Sequence, residues 1–267
     1  MEKISFEPIG ILRSDKKYRY ETPRQGVLAQ NNKAIIELLP GQNFEQALEG
    51  LDGFERIWVL FLFHLNNNWK PKIMPPYNSE KKVGVFASRA PYRPNQIGLS
   101  CVRLAKVQGL KLFIEESDIL DGSPVIDIKP YLPYSDSFPE SRSGWTGLKT
   151  LMKYQISYED SASRQIRWLK VNGGFDLEDF IDLQLSADPD NSIKKRISRV
   201  TDPDLKNVFS LAYRTWRIFY KIHYEEFLIK VFKIDSGYSV SELLNTAEDK
   251  YNDKFLHNQF KTNFRNL

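Results

Sequence analysis

Between Ser5 and Lys129 turn residues cut the sequence into short apolar runs, and that spacing limits the possible folds more than any other feature. Ser5–Arg13 mixes apolar and polar residues around Ile9-Gly10-Ile11, and Lys33–Leu39 carries Ile35, Ile36, Leu38 and Leu39. Arg56–Leu65 (RIWVLFLFHL) is β-branched and aromatic without a helical period, which predicts a strand buried on both faces. Val83–Ser88, Gly98–Val107, Leu110–Glu115 and Val125–Lys129 read as further strands, with Gly109 in a hairpin turn. One helical pattern interrupts them: Phe44, Ala47, Leu48 and Leu51 follow Asn43, a residue suited to capping. Seven or more strands with one helix predict a closed or nearly closed β-barrel. No Gly-rich turn joins a strand to a helix, so a Rossmann-type dinucleotide fold is not expected.

The style changes beyond a stretch rich in Pro, Ser and Gly at 133–150. Ser163–Val171 and Asp176–Leu185 have helical spacing, and Trp216–Tyr224 with Phe227–Ile234 reads as a hairpin around Glu225-Glu226. The chain is therefore expected to be mainly β: a barrel over 1–140, a linker over 141–160, a smaller α+β C-terminal domain over 161–238, and a helical or polar tail over 239–267.

Composition removes several function classes. No run of about 18 apolar residues exists among the 267, so no membrane span is expected, and the N-terminus has no secretory pattern. Cys101 is the one cysteine, which excludes an internal disulfide and a zinc site built on cysteine pairs. No His, Cys and Asp spacing suggests a metal, and a reducing cytoplasm is the expected location. The net charge of +4 is too mild to identify a nucleic-acid binder, though it leaves room for a clustered patch.

Four segments carry more chemistry than a scaffold needs. In Ser88–Ser100 (SRAPYRPNQIGLS) Pro91 and Pro94 stiffen a loop bearing Arg89 and Arg93, and Gly98 permits close approach by another group. Residues 121–136 (DGSPVIDIKPYLPYSD) open on a turn signal, and Asp127 and Lys129 alternate with apolar neighbours so as to share one face. Thr22–Gly26 is a third stiffened loop. His64 closes the most hydrophobic run. Taken alone, these segments read equally as rigid surface turns, an ordinary ion pair and a core histidine.

Together, and in this order, they resemble the TrmO (TsaA-like) family of S-adenosylmethionine-dependent tRNA methyltransferases. IGILRS at the start, PRQ at 23–25, WVLFLFH at 58–64, RAPYRPNQIGLS at 89–100 and the 121–136 segment carry the likeness, which is dense over residues 4–140 and looser over 185–235. Gln96, Tyr92 and Leu65 depart from the usual family pattern.

The resemblance implies a barrel-type, non-Rossmann methyltransferase acting as a homodimer, with S-adenosylmethionine bound near the subunit contact. The implied reaction methylates the exocyclic nitrogen of threonylcarbamoyladenosine beside the anticodon of tRNA. Cofactor contacts carried over are Pro23, Arg24, Gln25, His64, Arg89, Leu99, Asp121, Gly122, Ser123 and Pro124. The acceptor nitrogen must lose a proton, for which Asp127 or Tyr131 is the expected acceptor or relay. Lys129 or Arg89 is expected to hold the threonyl carboxylate. Arg93, Lys194, Lys195, Arg196, Arg199 and Arg214 are expected at phosphates, with Tyr213 or Trp216 stacking on a base. A non-catalytic RNA- or nucleotide-binding barrel, or a methyltransferase of this fold with another acceptor, is the alternative.

Overall fold

The computed structural model describes residues 4–23, 25–28, 32–75, 81–148, 153–186, 188–190, 196–201, 207–245 and 249–265. They fall into two compact units that divide between Arg142 and Ser143.

The first unit is a closed six-stranded barrel. Its strands are β1 (Gly10–Ser14), β2 (Lys33–Leu38), β3 (Arg56–Leu62), β6 (Ile97–Gln108), β7 (Lys111–Glu115) and β8 (Pro124–Pro130). They run around the barrel as β1-β2-β7-β6-β3-β8, every pair antiparallel, and β8 closes back on β1. A two-stranded ribbon of β4 (Lys72–Ile73) and β5 (Val83–Gly84) lies in the long β3–β6 connection. The strand expected over Val83–Ser88 thus ends after two residues, and Val85–Ala87 turns into a 3-10 helix.

Alternation along each strand selects the core. Leu12, Ile36, Ile57, Val59, Val102, Leu112, Ile114 and Val125 point inward, and Ile119 plugs the interior from the β7–β8 loop. β3 follows the same rule: Ile57, Val59 and Phe61 are buried, while Trp58, Leu60 and Leu62 face outward and are half-buried. The expectation that both faces are buried fails because an antiparallel barrel covers only its inner face. Gly98 is required, since a Cβ there would lie 2.3 Å from the Phe61 ring. The short helix α1 (Phe44–Ala47) forms where expected. Asn43, however, sits in the left-handed region at φ 59° and donates to the Gln46 side chain, leaving the helical N–H groups uncapped. Helix α2 (Pro133–Asp136) follows β8.

The second unit is a five-stranded sheet, ordered β10-β11-β12-β13-β9, with helices. Its strands are β9 (Gln155–Tyr158), β10 (Ile197–Arg199), β11 (Val208–Tyr213), β12 (Trp216–His223) and β13 (Leu228–Ser236), and only the β13–β9 pair is parallel. Helices α3 (Asp160–Gly173) and α4 (Leu177–Leu185) bury apolar stripes, α4 being capped by Asp176. Helices α5 (Val240–Leu244) and α6 (Lys254–Asn263) end the chain, and α6 buries His257 and Phe260. No helix among the described residues is long and apolar enough to cross a membrane.

Candidate active site

The strand pairings fix which loops meet. Ser14, Lys33, Leu62, Ile97, Glu115 and Pro124 all lie at one end of the barrel, so the connections between them, among their described residues, start and end around the same mouth. Gln25, His64, Arg89 and Asp121–Ser123 belong to those loops, and Pro124 opens β8 beside them. They come from four separate stretches of sequence and gather because β1, β3, β6 and β8 end together.

Two clusters of side chains occupy the mouth. In the first, Ser123 Oγ lies 3.2 Å from His64 Nδ1. His64 stands two residues beyond β3, its N–H bonded to the Leu62 carbonyl at 2.8 Å. Burial lowers its pKa from the ordinary 6.5, opposed by the Leu62 carbonyl and Asp121 and aided by Arg19, which favours the neutral imidazole. Asp121 accepts from the Ser14 N–H at 3.0 Å. Gly122 adopts φ 74°, a left-handed turn that only glycine adopts without strain, beside His64 Nε2.

In the second cluster Arg89 donates to Gln25 Oε1 at 2.9 Å, joining two of the stiffened loops. Beneath them lies Asp118, which sequence reasoning missed. Its carboxylate accepts from Ser100 Oγ at 2.5 Å, the Gly26 backbone also donates to it, and the Arg89 guanidinium is close enough to act on its charge. Burial nevertheless pushes its pKa above the ordinary carboxylate range. The local sequence SDILDG gave no sign beyond a lone acid before an apolar pair. The clue lay elsewhere, in Ser100, a polar residue on the inner face of β6 that needs a buried partner.

Other expected residues fall elsewhere. Leu99 faces outward on β6, half-exposed and opposite Leu60 of β3. Asp127 and Lys129 also face outward, 2.8 Å apart and opposite Leu60 and Trp58. Tyr131 packs on Trp58 and bonds to the Arg56 carbonyl at the far end of the barrel. That is roughly 26 Å along β8 from Ser123, so Tyr131 cannot serve the mouth of its own chain.

Arg93 donates to the carbonyls of Val85 and Ser88 and staples its own loop, which occupies the group expected at a phosphate. The aromatic rings expected to stack on a base are unavailable. Trp216 has no exposed surface and Tyr213 is buried, because alternation on β11 and β12 turns both into the core. Arg214 lies over the rings of Phe175 and Tyr213, and Arg196 reaches the Ala212 carbonyl. Arg199 is exposed on β10. Arg24, Lys194 and Lys195 lie outside the described residues.

Comparison with known proteins supplies the relatives. The model of the tRNA-methyltransferase O N-terminal domain matches residues 11–137. The chain is 33% identical over 177 residues to the tRNA (adenine(37)-N6)-methyltransferase of Escherichia coli K12, covering 64% of this chain and 75% of that protein. This chain belongs to the TrmO family. A putative S-adenosylmethionine-dependent methyltransferase, RcsF, of Pseudomonas aeruginosa is 44% identical over 164 residues, covering 60% of this chain and 68% of that one. A crystal structure of TrmO from Pseudomonas aeruginosa superposes with a TM-score of 0.60 at 30% identity, covering 88% of this chain and all of that one. The TrmO-type barrel places its mouth loops within the matched region, so the two clusters are this family member's candidate site.

Proposed function

We propose that this chain is an S-adenosylmethionine-dependent methyltransferase that methylates N6 of the adenosine at tRNA position 37. The methyl acceptor within this reading is threonylcarbamoyladenosine. The observation that carries it is the convergence of His64, Ser123 and Asp121 with Gln25, Arg89 and Asp118 at one barrel mouth, in a chain of the TrmO family.

The donor set suits the cofactor. Asp121 offers negative charge to a sulfonium or ammonium, Arg89 a planar fork to a carboxylate, and Gln25 and Ser123 neutral polar groups to the rest. Pro23 and Pro124 hold the loops that bear them, and Arg24 is placed there by resemblance. When bound, S-adenosylmethionine supplies a methyl group on a cationic sulfur. The chain's own residues orient both reactants, an alignment that can supply on the order of 7–11 kcal/mol. They must also take the acceptor's proton. His64 is neutral and has a nitrogen able to accept.

We extend the proposal to a homodimer in the cytoplasm. The outer face of β3 and β6 presents Leu60, Leu62 and the half-exposed Leu99, apolar surface suited to a second copy. Asp127, Lys129 and Tyr131 border that face, so their proposed catalytic roles act on the partner's mouth. Arg199, with Lys194, Lys195, Arg196 and Arg214, is proposed to meet RNA phosphates.

The test is transfer of labelled methyl from S-adenosylmethionine to tRNA with and without threonylcarbamoyladenosine. Label should enter only the first, and equal entry would move the acceptor to unmodified adenosine. Mixing His64→Ala and Asp127→Ala protomers should restore activity that neither has alone. If it does not, the cross-subunit role fails.

A further inference from the structure

The second unit holds a cavity of about 240 Å³ lined by Asp190, Ile197, Arg199, Phe209 and Tyr224. Ile197 and Phe209 form its apolar floor, both buried. Phe209 is fixed by stacking on Tyr220, with centroids 5.8 Å apart and planes at 21°. Tyr224, in the β12–β13 turn, keeps 40% of its surface exposed and donates its hydroxyl to Asp190 Oδ2 at 3.0 Å. Arg199 pairs with Phe209 in the β10–β11 register and lies close enough to Tyr224 to act on its phenol.

The lining combines three kinds of recognition. Tyr224 gives a flat ring face already held in place by its hydroxyl. Arg199 gives an exposed fork for a phosphate. Asp190 gives an acceptor-only carboxylate with lone pairs left after the tyrosine bond. Unpaired RNA bases are held in this manner, stacked on an aromatic ring and hydrogen-bonded along their Watson–Crick edge. A carboxylate accepts two parallel bonds best from an edge with two adjacent N–H donors. Among the four standard bases only guanine has one, in N1–H and the 2-amino group.

We propose that this cavity receives one unpaired guanine of the bound RNA. The ring stacks on Tyr224, its donor edge meets Asp190, and the adjoining phosphate meets Arg199. The proposal rests on the RNA reading above and supplies the stacking partner that the buried Tyr213 and Trp216 cannot be. A volume of about 240 Å³ falls below the range typical of drug-sized ligands and suits a single base.

The experiment uses the full chain saturated with S-adenosylhomocysteine, so that the barrel mouth is filled, and the probes GMP, IMP and AMP in saturation-transfer NMR. GMP should bind, IMP should bind at least fivefold more weakly for want of the 2-amino group, and AMP should give no signal. Asp190→Asn, which keeps an acceptor for Tyr224, should abolish the preference for GMP. Tyr224→Ala should raise KM for tRNA about tenfold without altering S-adenosylmethionine uptake, and Tyr224→Phe should restore binding because the ring remains. Equal signals from the three nucleotides, or an unchanged GMP preference in Asp190→Asn, would overturn the proposal. If tRNA is methylated while these variants bind it normally, the pocket fails and the enzyme reading stands. If GMP binds as described and no methyl is transferred, the enzyme reading fails and the pocket stands.

Discussion

Each unit holds a histidine beside a hydroxyl, in opposite surroundings. At the barrel mouth His64 meets Ser123 at 3.2 Å, half-buried and ringed by loops. In the second unit His257 Nε2 meets Thr215 Oγ1 at 2.8 Å with no exposed surface, and its ring lies flat on Trp216 at 3.6 Å. Asp253 binds the same Thr215 and also accepts from Tyr238, which ties α6 to the β11–β12 turn and the segment after β13. The residue types are those of a catalytic cluster, but the imidazole at its centre has no exposed surface. What separates a site from a buried brace is solvent access, and sequence spacing does not encode that.

The comparison breaks most visibly at His257. His257→Ala opens a cavity under Trp216 and strands the Thr215–Asp253 pair. It is expected to destabilise the second unit by about 2–4 kcal/mol, seen in urea unfolding, while S-adenosylmethionine uptake by the barrel persists. His64→Ala should do the reverse. Single-turnover methylation should fall at least tenfold, with a stability change under about 1 kcal/mol because the ring is only half-buried. Equal loss of stability in the two variants would erase the distinction between the two histidines.

A finer test lies in Asp118. Its folded pKa is raised above the ordinary 3.8, so in that window the folded state holds the proton and the unfolded state does not. The stability this provides is present below pH 3.8 and is lost as pH rises through the folded value. Asp118→Asn stays neutral throughout, so its melting temperature should depend less on pH above 3.8 than the wild type's. The smallest effect is expected at Lys129→Ala. It removes an exposed pair with Asp127 and should cost under about 1 kcal/mol, decreasing further with added salt.

Much of the barrel was legible because its strands obey a period of two and its turns carry Gly or Pro. Gly98–Val107 and Leu110–Glu115 came out as a hairpin within a residue or two. Eight strands form among the described residues of this region, in line with seven or more, but only six close the barrel, since Val83–Ser88 supplies just a two-residue strand of a separate ribbon. The second unit was harder to read. β9 and β10 are four and three residues long, too short for a pattern to emerge. Tyr213 and Trp216 were misplaced because aromatic residues among arginines suggest RNA stacking. Yet Trp216, Ile218, Tyr220 and Ile222 alternate with Arg217, Phe219, Lys221 and His223, and that period already turns Trp216 inward. At the site, the motifs supplied Gln25, His64, Arg89 and Asp121–Pro124. Asp118 was invisible because what marks it is a partner eighteen residues away.

The hoop of strands is fastened largely by one of its own mouth loops. β1 and β8 share only the pairs Gly10–Val125 and Ile11–Pro124, and the join continues through Ser123, Gly122 and Asp121, which bond to Leu12, Leu12 and Lys16. Whatever grips that loop therefore also tightens the clasp. Backbone amides along this join should exchange hydrogen with solvent sooner than those of β3 and β6 in the free protein, and slow most when the methyl donor arrives.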